Sequence, residues 1–213
     1  MTAIDDGPEE LPAPGALDVV WWRREVHALY AAVRAEGEPA QAHARWVQGR
    51  TALFASHPAS PLGPGQALRH APYDPAFRFT VAIDEAPQHR WEYTSATDGV
   101  VPFERCGRVR LGDLGELDVW WLDSYGGGVF LPVRDGSSGH ETYGAGRYVL
   151  DTVKGADLGR VSGSDAEEWV VDLNFAYNPS CAYDPRWVCP LAQAGNILTA
   201  AVPVGELTPV GAP

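Results

Sequence analysis

The hydrophobic pattern of this chain changes period once, near residue 76. From Leu17 to about Glu36, apolar side chains recur at Val19, Trp22, Val26, Leu29, Tyr30 and Val33, the i, i+3, i+4 spacing of an amphipathic helix. Gly37 stops it. A second helix is predicted from Pro39 to about Ala55, with Trp46, Arg50, Leu53 and Phe54 at helical spacing and Pro58 and Pro61 beyond its end. After Ala76 the segments 77–84, 89–95, 100–111, 116–125, 128–135, 146–153, 168–177 and 196–204 are short and rich in β-branched or aromatic residues. Gly, Pro, Asp and Ser separate them, the pattern of successive antiparallel strands. The fold class expected is α+β: two N-terminal helices packed on a mostly antiparallel β-barrel or β-sandwich of about eight strands.

The domain organisation follows from the same reading. Residues 1–16 are acidic and Pro-rich without apolar periodicity and are expected as a disordered tail. Residues 17–207 form one domain, helical over 17–55 and β-rich over 77–207, and 208–213 form a C-terminal tail. An apolar content of 45% with eight Trp and eight Tyr is enough to build a bulky core.

Charge narrows the partners. The net charge is −12 and Lys154 is the single lysine, which argues against nucleic acid and anionic membrane surfaces, since both are held by clustered Lys and Arg. No run approaches the ~18 apolar residues of a membrane span, and the first residues lack the basic and apolar regions of a signal peptide. A cytoplasmic location is expected. Cys106, Cys181 and Cys189 are too few for a disulfide scaffold, so reduced thiols are the default.

Candidate chemistry concentrates between Tyr125 and Pro190. In the run 169–177, Trp169, Val171, Leu173, Phe175 and Tyr177 share one face by parity, and Val170, Asp172, Asn174 and Ala176 share the other. Arg147, Val149, Asp151 and Val153 likewise share a face. If the two strands are neighbours, Arg147 and Asp172 would meet as a charge-assisted pair beside an amide. Such a pair suits gripping a small polar ligand, and equally suits a structural clip between strands. Cys181 and Cys189 flank a Tyr-Asp-Pro turn. Their spacing is not that of a zinc knuckle, and they read as buried structural thiols, as a nucleophile with Arg147 or Arg186 nearby, or as a closable disulfide. Gly126 to Gly128 and the Gly144-Ala-Gly146 segment run into strand patterns, so they read as tight turns, a bulge or close backbone approach to a bound molecule, and not as a phosphate loop.

The strings GGGVFLPVRDGSSGHETYGAGRYVLDTVKGADLG and DLNFAYNPSCAYDPRWVCPLAQAGN, with GRTALFASHPASPL and RVRLGDLGELDVWWLDSYGGG upstream, resemble the DUF1684 family, a bacterial domain of unknown function, over roughly residues 45–207. The resemblance implies a β-rich single domain without a settled activity, cofactor or substrate. It implies that Arg50, Pro61, Tyr125, Asp135, Tyr143, Gly146, Arg147, Asp151, Asp172, Asn174, Tyr177, Cys181, Cys189 and Asn196 belong to the shared pattern, and that His140 does not.

The functional expectation is a small-molecule enzyme of unassigned acid–base or thiol-assisted chemistry, hydrolysis included, with a polar pocket in the β domain. Its catalytic candidates are Asp172, Cys181 and Cys189. Its ligand-binding candidates are Arg147, Asn174, Tyr143, Tyr177, Asp135 and Asp151. No metal and no cofactor is expected, the partner is a small-molecule ligand, and the oligomeric state is open. The alternatives are a non-catalytic small-ligand-binding module, for which the aromatic load would supply stacking surfaces, and a structural or partner-binding domain.

Overall fold

A computed structural model of the chain describes residues 13–95, 99–161 and 167–211. Most of the expected N-terminal tail, residues 1–12, lies outside the described residues. Two helices, α1 (Ala16–Arg34) and α2 (Pro39–Ser56), form an antiparallel hairpin. In α1 the Asp18 carboxylate accepts from the Gly15 N–H at 3.0 Å, which places negative charge at the positive end of the helix dipole. Pro39 opens α2, where its missing N–H costs nothing. The buried stripe of α1 is Val26, Tyr30 and Val33, and that of α2 includes Ala42, His43, Trp46, Arg50, Leu53 and Phe54. The Trp46 indole N–H donates to the Tyr30 hydroxyl at 3.1 Å and ties the helices together.

Seven strands follow: β1 (Arg78–Ala82), β2 (Arg90–Ser95), β3 (Gly99–Arg110), β4 (Glu116–Leu122), β5 (Gly128–Val133), β6 (Arg147–Asp151) and β7 (Glu168–Asp172). Strands β2 to β6 make one antiparallel sheet in sequence order, and β1 pairs antiparallel with β7 in a separate two-stranded sheet. The α+β class holds. Among the described residues the strands do not close into a barrel.

The middle strands face two cores at once. Val119 of β4 and Leu131 of β5 enter an aliphatic core with Val109, Leu117, Val133, Val149 and Val171. Their chain neighbours Trp120 and Phe130 enter an aromatic core beneath the helices with Tyr30, Trp46, Tyr148 and Phe175. The strand period of two sends alternate side chains to opposite faces, so both faces are apolar where helices cover one side and β1–β7 the other. Gly128 begins β5 where a Cβ would stand 2.6 Å from Val153 Cγ2, so the backbone there packs directly on that side chain. At Gly146 φ is +96° and a Cβ would stand 2.7 Å from the Val133 carbonyl oxygen, a position open only to glycine.

Three expectations are corrected. The run 168–177 is a strand only to Asp172. There the Asp172 carboxylate accepts from the Asn174 N–H at 3.0 Å, and this local turn diverts the backbone into a single 3-10 turn, Leu173–Phe175. The parity that set Asp172 and Asn174 on one face therefore fails. Strand β7 pairs with β1, Arg78 opposite Asp172, and not with β6, so Arg147 and Asp172 do not meet. The eighth run, 196–204, forms no strand. Val202, Val204 and Glu206 turn their carbonyls to the Arg147 guanidinium, which donates where a neighbouring strand would otherwise do so. Thr208 and Val210 of the expected C-terminal tail donate to the carbonyls of Glu141 and Ala67. No helix among the described residues is long and apolar enough to cross a membrane.

Candidate functional site

The nine side chains singled out from the sequence fall into four places. Arg147 and Asp135 form an ion pair at 2.9 Å with both side chains inaccessible to solvent. The other Asp135 oxygen accepts from the backbone N–H groups of Ser137 at 2.8 Å and Val202 at 3.1 Å, and from the Ser137 hydroxyl. Together the pair anchors the chain from Val202 to Glu206 against β5 and β6.

Asp172 and Asn174 make a second group. The Asp172 carboxylate accepts from Arg78 Nη1 at 2.9 Å and from Asn174 Nδ2 at 2.7 Å. Burial pushes its pKa up, against the lowering pull of Asn174 and Arg78. Asn174 closes a two-point contact with the Asp74 backbone, accepting from its N–H and donating to its carbonyl, both at 2.8 Å. Every polar atom of this amide is engaged within the protein.

Tyr143, Cys181 and Cys189 make the third. Both thiols are free and partly exposed. The Tyr143 hydroxyl lies 3.4 Å from the Cys181 carbonyl oxygen and 3.8 Å from its sulfur, and burial with the nearby thiols pushes its pKa up to about 12.

Tyr177 and Asp151 meet at the fourth place, a cavity of about 130 Å³ between α1, α2 and the segment 177–180 that Tyr177 lines and Asp151 does not. Trp22, Val26, Tyr30, Phe54, Tyr148 and Tyr177 form its apolar wall. The Tyr177 hydroxyl reaches Asp151 at 3.5 Å, and Asp151 holds the Lys154 ammonium at 2.9 Å. Lys154 is half exposed and also lines the cavity, as does the exposed Arg23, which forms no ion pair with a described residue. Arg23 is close enough to oppose the charge of Lys154. Two cations thus line an apolar cavity, and one of them, Lys154, is paired with a carboxylate that does not line it.

The cavity is also lined by two polar residues, Arg50 and Asn178, that were not among the site candidates. Arg50, on the buried face of α2, pairs with Glu206 through both Nε and Nη2. Glu206 is fully buried and also accepts from the Asn178 N–H at 2.7 Å and the Tyr183 hydroxyl at 2.9 Å, with His70 Nε2 3.4 Å away. These donors, Arg50 foremost, hold the Glu206 carboxyl down at about 2 although burial alone would raise it. Asn178 donates through Nδ2 to the Leu207 carbonyl at 2.9 Å, which fixes its amide orientation. Its Oδ1 is buried and has no hydrogen-bond partner among the described residues, and the residue lines the cavity. Arg50 was visible as a cation on an otherwise apolar helical stripe. Glu206 and Asn178 carried no such signal, because their partners are distant in sequence. Among the described residues no group of three or more His, Cys, Asp or Glu side chains is arranged to hold a metal ion.

The family model described as "Protein of unknown function (DUF1684)" matches residues 66–207, which spans β1 to β7 and the Glu206 anchor. The chain belongs to the DUF1684 family. The match leaves α1, α2 and Arg50 outside it, so the helical wall of the cavity lies beyond the DUF1684 core, and the expected start near residue 45 is later by some twenty positions. A solution NMR structure of an uncharacterized protein from Haloarcula marismortui is similar at 25% identity and a TM-score of 0.55, covering 76% of this chain and 89% of that one. No match to this DUF1684 chain was found among curated proteins.

Proposed function

We propose that this DUF1684 domain binds a small amphipathic anion in the cavity between the helical hairpin and the β domain. The observation that carries the reading is an apolar cavity lined by Arg23, Lys154 and the buried Asn178, whose Oδ1 has no hydrogen-bond partner among the described residues. A buried acceptor without a donor costs about 1–3 kcal/mol, and a ligand hydroxyl or N–H offsets that cost. The size of the cavity sets the body of the ligand. A dry apolar cavity of roughly 150 Å³ takes one benzene, so about 130 Å³ fits a single aromatic ring or a branched aliphatic group. Arg23 and Lys154 then take the carboxylate. The ligand class is a small hydroxy- or amino-substituted carboxylic acid. Glu206 and Asp151 are neutralised by Arg50 and Lys154, so the same geometry favours binding over acid–base turnover. The acidic balance of the chain keeps nucleic acid out of the reading.

The test is quenching of the tryptophan fluorescence contributed by Trp22 and Trp187, both at the cavity, with benzoate, phenol and 4-hydroxybenzoate as probes. The expected order is 4-hydroxybenzoate tightest, with phenol weakened by loss of the anion and benzoate by loss of the donor. Lys154→Gln and Arg23→Gln each weaken 4-hydroxybenzoate several-fold and leave phenol unchanged. Val26→Phe, which fills the cavity, abolishes binding of all three. Equal affinity for the three probes, or indifference to both rim cations, overturns the reading.

A further inference from the structure

The five-stranded sheet ends on β2, and the outer side of that strand is open. Arg90 faces Glu104 and Ser95 faces Gly99 across the β2–β3 pair, but among the described residues no strand or bridge lies on the other side of β2. The register fixes where its backbone groups point. Pro102, opposite Glu92, has no N–H to offer, and its carbonyl accepts from the Asp123 N–H on the β4 side at 2.9 Å. The Arg105 N–H donates to the His89 carbonyl at 2.8 Å. Backbone groups alternate in direction along an antiparallel pair, so Trp91 and Tyr93 bond to β3. Arg90, Glu92 and Thr94, all exposed, turn their N–H and C=O groups outward.

From this edge we infer that two copies of the chain join β2 to β2, antiparallel, about a two-fold axis at Trp91. Charge selects that register. An axis at Arg90 would set Arg90 against its own image, and an axis at Glu92 would do the same for Glu92. Like charges directly opposite each other destabilise a strand pair. An axis at Tyr93 sets Glu92 against Thr94. Of these, the axis at Trp91 alone places Arg90 of each copy opposite Glu92 of the other, with the outward N–H and C=O groups of both residues in position to bond.

The surroundings of the edge fit the same pairing. Arg90 stands 3.1 Å from Glu92, 3.2 Å from Glu104 and 3.4 Å from Asp123, one half-exposed cation among three half-exposed carboxylates. A second Arg90 across the axis makes up part of that deficit. Trp91 stacks on Phe103 at 4.6 Å and meets Trp120 edge-on at 5.5 Å, so it closes the end of the aromatic core, yet it is only partly buried. In the pair the two Trp91 rings become cross-strand neighbours and each covers the other. Charge on an edge strand ordinarily discourages pairing with another chain. The order Arg90-Trp91-Glu92 does the reverse for its own two-fold image, and so restricts the partner to a second copy. The β2 edge contributes no residue to the cavity, so the dimer does not depend on what the cavity binds.

Sedimentation velocity of the full chain, from micromolar to millimolar concentration, tests this. A monomer–dimer equilibrium is expected, weakened by salt because the ion pairs are exposed. Glu92→Arg and Arg90→Glu each turn the attractive pairs into repulsive ones and should raise the dimer dissociation constant about tenfold or more. Mixed in equal amounts, the two variants carry complementary edges, and their heterodimer should recover the wild-type affinity. Circular dichroism checks that each variant keeps its fold. In the wild type, hydrogen exchange at the Arg90 and Glu92 amides should slow as concentration rises. A wild-type chain that stays monomeric overturns the inference, as does a dimer that both variants retain. A mixture that associates no better than either variant alone overturns it too, and so does exchange at those two amides that is independent of concentration.

Discussion

Replacing Glu206 by Gln tests the anchor beneath the cavity, and its effect can be worked from the structure. The wild-type carboxylate is fully buried yet accepts from Arg50, the Asn178 N–H and the Tyr183 hydroxyl, which holds its pKa at about 2 against an ordinary 4.5. A folded-state pKa below the unfolded one means that the unfolded chain takes up the proton first as pH falls. The stability this supplies is therefore complete above pH 4.5 and lost as the pH drops toward 2. At ~1.36 kcal/mol per pH unit the displacement amounts to about 3 kcal/mol. Glu206→Gln preserves size but removes the charge, leaving the Arg50 guanidinium buried without its counterion, and breaking such a pair costs about 3–5 kcal/mol. Urea unfolding between pH 2 and 7 should give a variant weaker by that amount at pH 7. Between pH 4.5 and 2 the wild type loses stability steeply, while the variant loses markedly less. A variant within ~1 kcal/mol of wild type at pH 7, the scatter of an ordinary mutation, would refute the reasoning. An equally steep acid limb in both proteins would refute it as well.

His43 supplies a separate limb at higher pH. Its ring is packed among Trp46, Tyr73 and Phe175, its Nε2 has no partner among the described residues, and burial, with His70 nearby, lowers its pKa to about 4. The unfolded chain protonates this imidazole first, so stability is full above pH 6.5 and falls toward pH 4. His43→Phe should flatten the wild-type decline over that interval, as followed by urea midpoints. Arg147→Met strips the counterion from Asp135 and the donors from three carbonyls of the 202–206 segment. It should destabilise by about 3–5 kcal/mol, and hydrogen exchange should locate the loss in the amides of that segment; protection there equal to wild type would remove Arg147 as its anchor.

The sequence by itself determined the two helices and most of the strands, because those are written in local periodicity. Helix α1 begins one residue from the expected start, and α2 ends one residue beyond the expected Ala55. Seven of the eight β-like runs contain strands, since β-branched and aromatic alternation is a property of neighbours along the chain. The eighth, 196–204, has the same composition. Its first half makes only an isolated bridge to Arg134, and in its second half Val202 and Val204 turn their carbonyls to Arg147, which no window of the sequence contains. The same limit governs the polar residues. Arg147, Asp135, Asp172 and Asn174 stood out as charges and amides in apolar surroundings, but which carboxylate met which cation depended on β7 pairing with β1. The turn at Asp172 also cancelled the parity on which the predicted pair rested. The cavity is tertiary throughout: Arg23 and Arg50 come from the helices, Lys154 from the turn after β6, Asn178 from the loop after β7. Side-chain periodicity reports which face of an element is buried. It does not report which other face it is buried against, because that is decided by long-range packing and by the need of each buried charge for a partner.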